Sequence, residues 1–365
     1  MNRVTLAVAG SRKTQSIVDA CSKGDSHTRR LVLTFTQTGQ AELDRRLKQA
    51  CAPAAVPEVM GWFAFLLRHC IRPYLPLLFP QQRLHGLNFE GQPSAGRYAK
   101  GVARHFDASG RAFKLHLSKL ALDASKASKG AVMDRLSLIY DEIYIDEVQD
   151  LTGCDLHILE QLMNMKSTNL QMVGDVRQSV FDTNPQDPTL KQYRGVAMLD
   201  WFALHKKADL LEIAYSNETW RFNQAVADFS DKLFPPSFTF EPTVSRQSEV
   251  TGHDGVFAIY EADVLAYIAE FKPVPLRESR TTAAKVELPF QNFGKVKGRT
   301  FDRVLIYPTV PITKYLTAGQ ELKPKTACGL YVAVTRARHS VAFVVPDPAA
   351  TKLRAWRPKH RMEQE

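Results

Sequence analysis

Short apolar runs alternate with stretches of helical period along much of the chain. Val4 to Val8 is an apolar run of strand length, and Gln15 to Cys21 reads as the first turns of a helix, which Ser22-Lys23-Gly24-Asp25 stops. Arg30 to Thr36 is apolar and β-branched, a buried strand; polar Gln37–Gln40 follows, then a helix over Ala41 to Gln49. A strand handing over to a helix in this way is compatible with a loop at the carboxyl edge of a parallel sheet, where ligands usually bind, and equally with a plain βα unit. Further on, Ile143 to Ile145 and Leu170 to Val173 predict strands, with a helix over Asp155 to Met165 between them. A helix is expected from Thr219 through Val226 and Phe229 to Phe234, ended by Pro235-Pro236. Strands are then expected over 256–260, 303–307 and 340–345, and helices over 263–271 and 330–338.

Residues 50–135 break the rhythm. Five prolines interrupt the first part, and Trp62 to Leu67 is a strongly apolar helix candidate. From Arg83 to Arg135 there are ten Lys/Arg against Glu90, Asp107, Asp123 and Asp134, a net +6. A solvated helix face explains that charge; so does a groove tracking a phosphate backbone, with Tyr98, Phe106 and Phe113 as platforms or as core.

Length and composition narrow the class. The 365 residues suffice for two or three domains, and 44% hydrophobic with 24% charged residues describes an ordinary globular chain. The net charge of +10 and pI near 9.3 point to a polyanionic partner, nucleic acid or an acidic membrane surface. Five scattered cysteines, never spaced as Cys-x-x-Cys, argue against a disulfide framework or zinc ribbon and for a reducing compartment. No apolar run is long enough to span a bilayer, and the opening run is too short for a signal peptide, so a soluble, cytoplasmic protein is expected.

The candidate chemistry sits just past the strands. Ala7 to Thr14 closes a small-residue turn on Lys13-Thr14 ahead of a helix, the layout of a phosphate-binding loop. Asp146 and Glu147 end the strand at Ile145; paired carboxylates there suit holding Mg²⁺ and activating water. Gly174-Asp175 with Gln178-Ser179 places polar groups after the next strand.

Taken together and in order, these stretches resemble the superfamily I helicases of the UvrD/Rep type. Ala7–Thr14 resembles the phosphate-loop motif. Leu33-Thr34-Phe35-Thr36 with Ala41-Glu42-Leu43 is similar to the adjoining DNA-contacting motif. Asp146-Glu147-Val148-Gln149-Asp150, Gly174-Asp175 with Gln178-Ser179, Trp220-Arg221, Lys297-Gly298 with Thr300-Phe301-Asp302, and Tyr331 to Ala337 match the later motifs in turn. The resemblance implies an α/β fold of two RecA-like P-loop NTPase lobes with parallel sheets, holding ATP between them, and a mainly helical, basic insertion in the first lobe. It implies lobes over 1–200 (insertion about 46–135) and 201–350, with a basic tail over 351–365 that is frayed or a backbone-contacting arm.

The resemblance also assigns roles. Gly10, Ser11, Arg12, Lys13, Thr14, Gln15 and Gly298 would bind the nucleotide, and Thr14 and Asp146 would hold Mg²⁺. Glu147 would be the general base, Gln178 the γ-phosphate sensor, and Arg221 and Arg336 arginine fingers. Thr34, Phe35, Thr36, Phe181, Tyr193, Arg194 and Lys297 would contact nucleic acid, with Tyr193 stacking on a base. The expected activity is that of an ATP-dependent helicase or translocase on single-stranded DNA or a forked duplex, moving 3′→5′, away from membranes. The alternatives are a non-unwinding, nucleotide-gated ATPase component of a nuclease or phage-defence complex, and a DNA-binding module without ATPase activity.

The departures are equally specific. Arg12 stands where the motif has Gly, and its guanidinium is expected to turn outward. The family's histidine in the fifth motif falls at Gly294 and its glutamate at Thr300, and Gly298 to Asp302 is also similar to the RecD/Pif1-like branch of opposite polarity. The adenine-recognising segment is expected to be missing. Only about 75 residues separate Arg221 from Lys297, too few for the large second-lobe insertion of UvrD and Rep.

Overall fold

The computed structural model describes residues 1–358. The chain divides into two compact units: Met1–Leu6, Lys13–Gly174 and Asp182–Ala214 form one; Ala7–Arg12, Asp175–Phe181 and Tyr215 onward form the other. Two short segments, the turn of the candidate phosphate loop and the stretch after Gly174, thus belong with the C-terminal half.

In the first unit the strands are β1 (Arg3–Ala7), β2 (Arg30–Thr34), β3 (Glu58–Gly61), the short β4 (Gly86–Asn88) and β5 (Arg111–Phe113), β6 (Glu142–Ile145), β7 (Asn169–Gly174) and β8 (Glu212–Ser216), whose end passes into the second unit. Six of them form one sheet in the order β3-β2-β6-β7-β1-β8, with parallel pairing from β3 through β1. Its helices follow the apolar pattern. Lys13–Lys23 buries Ile17, Val18 and Cys21 against Leu43 and Leu47 of Gln37–Ala50 and against Val32, Tyr144 and Val173 of the sheet. Side chains spaced three and four apart meet there on one helix face.

β3 corrects the expected start of the insertion. Residue 46 lies inside a core helix, and β3 pairs in register with β2, Leu31 opposite Glu58 through Thr34 opposite Gly61. Four residues between prolines carry too little pattern to reveal a strand, because its identity rests on a partner about 27 positions away. The insertion proper follows. Trp62–Phe65 is α-helical and continues as a π-helical turn over Leu66–Ile71, anchored where Trp62 Nε1 donates to buried Asp155 Oδ1 at 2.8 Å. Its longest helices are Leu117–Ala127 and Ala131–Ile139, short turns and loops make up most of the stretch before them, and β4 and β5 pair in parallel.

The second unit contains β9 (Glu218–Thr219), β10 (Val244–Ser245), β11 (Gly255–Ile259), β12 (Val274–Arg277), β13 (Gln291–Asn292), β14 (Phe301–Tyr307), β15 (Ala337–Val344) and β16 (Arg354–Ala355). Its main sheet runs β13-β12-β14-β15-β11-β16, parallel at every pairing. Phe257, Ile259, Tyr267, Leu305, Ala342 and Val344 form its core.

Three local expectations change here. The helix after Trp220 starts later, at Gln224, because Asn223 caps it by accepting from Val226 N at 3.1 Å. The stretch over 330–338 is not one helix: the helix Pro324–Val334 ends at Thr335, and β15 begins at Ala337, leaving Arg336 in the turn. The tail from Thr351 is not frayed as far as Pro358, since β16 pairs with β11 and Trp356 packs edge-on to Tyr267 at 5.0 Å. Lys359 and Arg361 lie outside the described residues.

Candidate nucleotide site

The first unit brings Lys13-Thr14 and Asp146-Glu147 together although 132 positions separate Thr14 from Asp146. Thr14 lies in the first turn of the helix after β1, and Asp146 follows β6, so parallel strands deliver both to one sheet edge. Thr14 Oγ1 donates to Asp146 Oδ2 at 3.0 Å. Burial and the charge of Glu147 push the Asp146 carboxyl up to about 6, while the Thr14 hydrogen bond and the charge of Lys13 pull the other way. A buried carboxylate beside a hydroxyl supplies oxygen ligands suited to Mg²⁺, which takes one or two protein oxygens and completes its shell with water and phosphate, and the Lys13 ammonium suits the phosphate.

Glu147 has a left-handed backbone, φ 58°, uncommon for a non-glycine residue. Its amide donates to Asp146 Oδ1 at 3.0 Å, and its carboxylate accepts from Gln149 Nε2. The tight turn faces two carboxylates in different directions. Gly174 permits it: a Cβ there would lie 2.4 Å from Gln149 Oε1.

The turn before Lys13 is built into the second unit. Val8 N donates to Ser216 O at 3.0 Å, and Trp220 N to Gly10 O at 3.1 Å. A Cβ on Gly10 would sit 2.5 Å from Thr219 Oγ1. Arg12 adopts φ 64°, the conformation glycine favours, and its guanidinium lies 4.6 Å from the centroid of the Trp220 ring. Its outward turn therefore ends on an aromatic face. Ser11 Oγ is buried without a hydrogen-bond partner in the protein, an orphaned donor in a loop whose shape suits phosphate. Within the first unit, Lys13, Thr14 and Asp146 fit a Mg²⁺–phosphate group.

In the second unit Gln178 and Arg336 meet directly, Arg336 NH2 donating to Gln178 Oε1 at 3.0 Å; Arg336 also donates to the carbonyls of Val332 and Arg299 and is 1% exposed. Arg221 is nearby in the fold, reaching Thr335 O at 3.3 Å. Gly298 sits at φ 85° in open space. Phe181 and Lys297 also come together, the ammonium 5.8 Å from the ring centroid.

Several expected contacts have other employment. Gln15 bonds Asp19 at 2.6 Å and accepts from Arg46, so its amide is engaged along the helix. Thr34 is buried, Thr36 is exposed and caps the helix Gln37–Ala50 by accepting from Gly39 N at 3.0 Å, and Phe35 is half-buried. Arg194 donates to Pro185 O and Asn184 O and braces its own loop, and Tyr193 is half-buried in a 3-10 turn. Sequence reasoning missed Trp220 as the partner of Arg12 and Tyr331 as a hub. Both lay inside matched motifs, but their contacts are decided by folding.

A family model, the UvrD/REP helicase N-terminal domain, matches residues 92–188, which contain Asp146 to Asp150 and Gly174 to Ser179. Over that stretch, about a quarter of the chain, the sequence is similar to the UvrD/Rep helicases. Relatives include ATP-dependent helicase/nuclease subunits from two bacteria. That of Enterococcus faecalis is 26% identical over 47% of this chain and 13% of its own length, and that of Lactobacillus acidophilus is 33% identical over 26% and 8%. The matched stretches thus cover only a small part of these relatives. An arterivirus nonstructural protein 10 (helicase) in complex with DNA superposes over 96% of this chain and 63% of its own, with a TM-score of 0.50 and 14% identity, a likeness of fold. The α/β architecture with two six-stranded sheets is the fold shared with that helicase. Among the described residues no helix is long and apolar enough to cross a membrane.

Proposed function

We propose that this protein is a DNA-dependent ATPase that couples ATP hydrolysis to movement along single-stranded DNA, or to unwinding a forked duplex, in the 3′→5′ sense. The observation that carries this reading is the Thr14–Asp146 contact beside Lys13 and Glu147. Mg²⁺ would supply charge neutralisation at the phosphates. Lys13 and the loop amides hold the phosphates, Thr14 and Asp146 hold the metal, and Glu147 takes the proton of the attacking water. Arg221 and Arg336 stabilise the charge on the transferred phosphoryl group, a role worth roughly 10³–10⁵ in rate elsewhere. Phe35, Phe181 and Lys297 contact the strand.

ATP hydrolysis measured with single-stranded DNA, duplex DNA and RNA as separate stimulators tests the proposal. Single-stranded DNA should stimulate most, and Lys13→Ala or Glu147→Gln should abolish the stimulated rate. A rate unchanged by both substitutions would refute the catalytic assignment.

A second reading, a nucleotide-gated ATPase that partners a nuclease without unwinding, is favoured by the short span between Arg221 and Lys297 and by the relatives' name. A strand-displacement assay separates the two, because only the helicase would release the strand.

A further inference from the structure

We propose that Tyr331 is a positioning residue that ties the phosphate loop to the Gln178–Arg336 pair, so that phosphoryl transfer depends on its hydroxyl. The inference rests on the ATPase reading above and assigns a role to a residue that does not touch the reacting atoms.

The hydroxyl sits at the centre of a continuous chain of hydrogen bonds in the second unit. Ala9 N–H, in the loop, donates to Tyr331 Oη at 3.1 Å, and Tyr331 donates in turn to Asp175 Oδ2 at 3.1 Å. The same carboxylate oxygen accepts from Gln178 Nε2 at 2.9 Å, and Gln178 Oε1 accepts from Arg336 NH2 at 3.0 Å. Asp175 therefore fixes which face of the Gln178 amide points at Arg336, and Tyr331 fixes where Asp175 stands relative to Ala9.

The surroundings hold this hub still. Tyr331 is fully buried. The Arg177 guanidinium lies 4.7 Å from its ring centroid and bonds Asp175 and, at 2.9 Å, Asp231. Burial raises the Tyr331 pKa well above the ordinary phenol range, so the hydroxyl keeps the proton it donates to Asp175. Buried networks of this kind couple strongly, since loss of one partner leaves the others short.

Phosphoryl-transfer catalysis consists largely of positioning, so a fault in this link should appear in kcat rather than in nucleotide affinity. The test compares kcat and KM for ATP, with saturating single-stranded DNA, in the full chain and its Tyr331→Phe, Gln178→Ala and double variants. Tyr331→Phe should lower kcat at least tenfold and leave KM within threefold. In the Gln178→Ala background the same change should slow the enzyme no more than twofold, because the link then leads nowhere. An unchanged kcat, or an equal slowing in both backgrounds, overturns the proposal and assigns the hydroxyl a purely structural part. Should Tyr331→Phe fail to fold, Asp175→Asn must give the same kcat-only loss or the proposal fails. A wild-type chain with no ATPase activity defeats the reading beneath it; an active wild type with an indifferent Tyr331→Phe defeats this inference alone.

Discussion

At the scale of single residues, Arg12 shows how a motif position changes meaning with its neighbours. A non-glycine side chain in the left-handed region costs roughly 1–2 kcal/mol, and a cation–π contact returns about 0.5–1 kcal/mol. Arg12 bears the first at φ 64° and recovers part of it on Trp220. Arg12→Ala, which keeps the strain and loses the stack, should destabilise the protein by about 1 kcal/mol in urea unfolding, whereas Arg12→Gly should stay within about 0.5 kcal/mol of wild type. Equal losses in the two variants would mean that the left-handed strain contributes nothing, and an unchanged Arg12→Ala would mean the same of the stack. Asp155 makes a second case. It is fully buried and accepts from Trp62 Nε1 and, at 2.7 Å, from Asn184 Nδ2. Asp155→Ala strands two buried donors and should cost about 2–4 kcal/mol, read as a lower denaturant midpoint at unchanged slope.

At the scale of elements, most helices and strands were legible because their apolar periods are long enough to show. The sheet-edge strands were not. β3 has four residues and β16 two, and each exists because a neighbour offers unpaired backbone. The same cause explains the Arg336 turn, where a helix and a strand abut inside one apolar run. β16 carries a testable consequence. Trp356 N donates to Ala258 O at 3.0 Å, and its ring contacts Tyr267 and Phe271. Trp356→Ala should destabilise the second unit by about 2 kcal/mol or more and speed hydrogen exchange in β11, while leaving exchange in β2 and β6 unchanged. Equal acceleration in all three strands would contradict so local a role.

At the scale of the molecule, the chain passes repeatedly between its units, where the sequence suggested one boundary near 200. Stability should also depend on pH through buried histidines in both units. Burial lowers His69 and His105 in the first unit, and His253 in the second, to about 4 from 6.5. Between those values the unfolded chain binds protons that the folded chain refuses, so stability is full above about pH 6.5 and falls as pH drops toward 4. The thermal midpoint should decline between pH 7 and 5, and His253→Leu, in a residue stacked on Phe257 and Phe271, should flatten that decline. A midpoint flat over this range would exclude the histidines as the cause.

The sequence by itself determined the order of motifs, and with it the resemblance to the UvrD/Rep helicases, the candidate metal and base residues and the alternation of strands and helices. Those are local patterns, set by residue type and spacing along the chain. The tertiary structure alone decided which matched residues come together. Thr34, Gln15 and Arg194 carry motif-compatible side chains, yet the fold buries the first and engages the hydrogen bonds of the other two. Arg12, the non-glycine at the loop's second glycine position, finds its partner about 208 positions away on Trp220. Spacing can place a side chain on an element; which groups satisfy its donors and acceptors depends on the packing of elements that are remote along the chain.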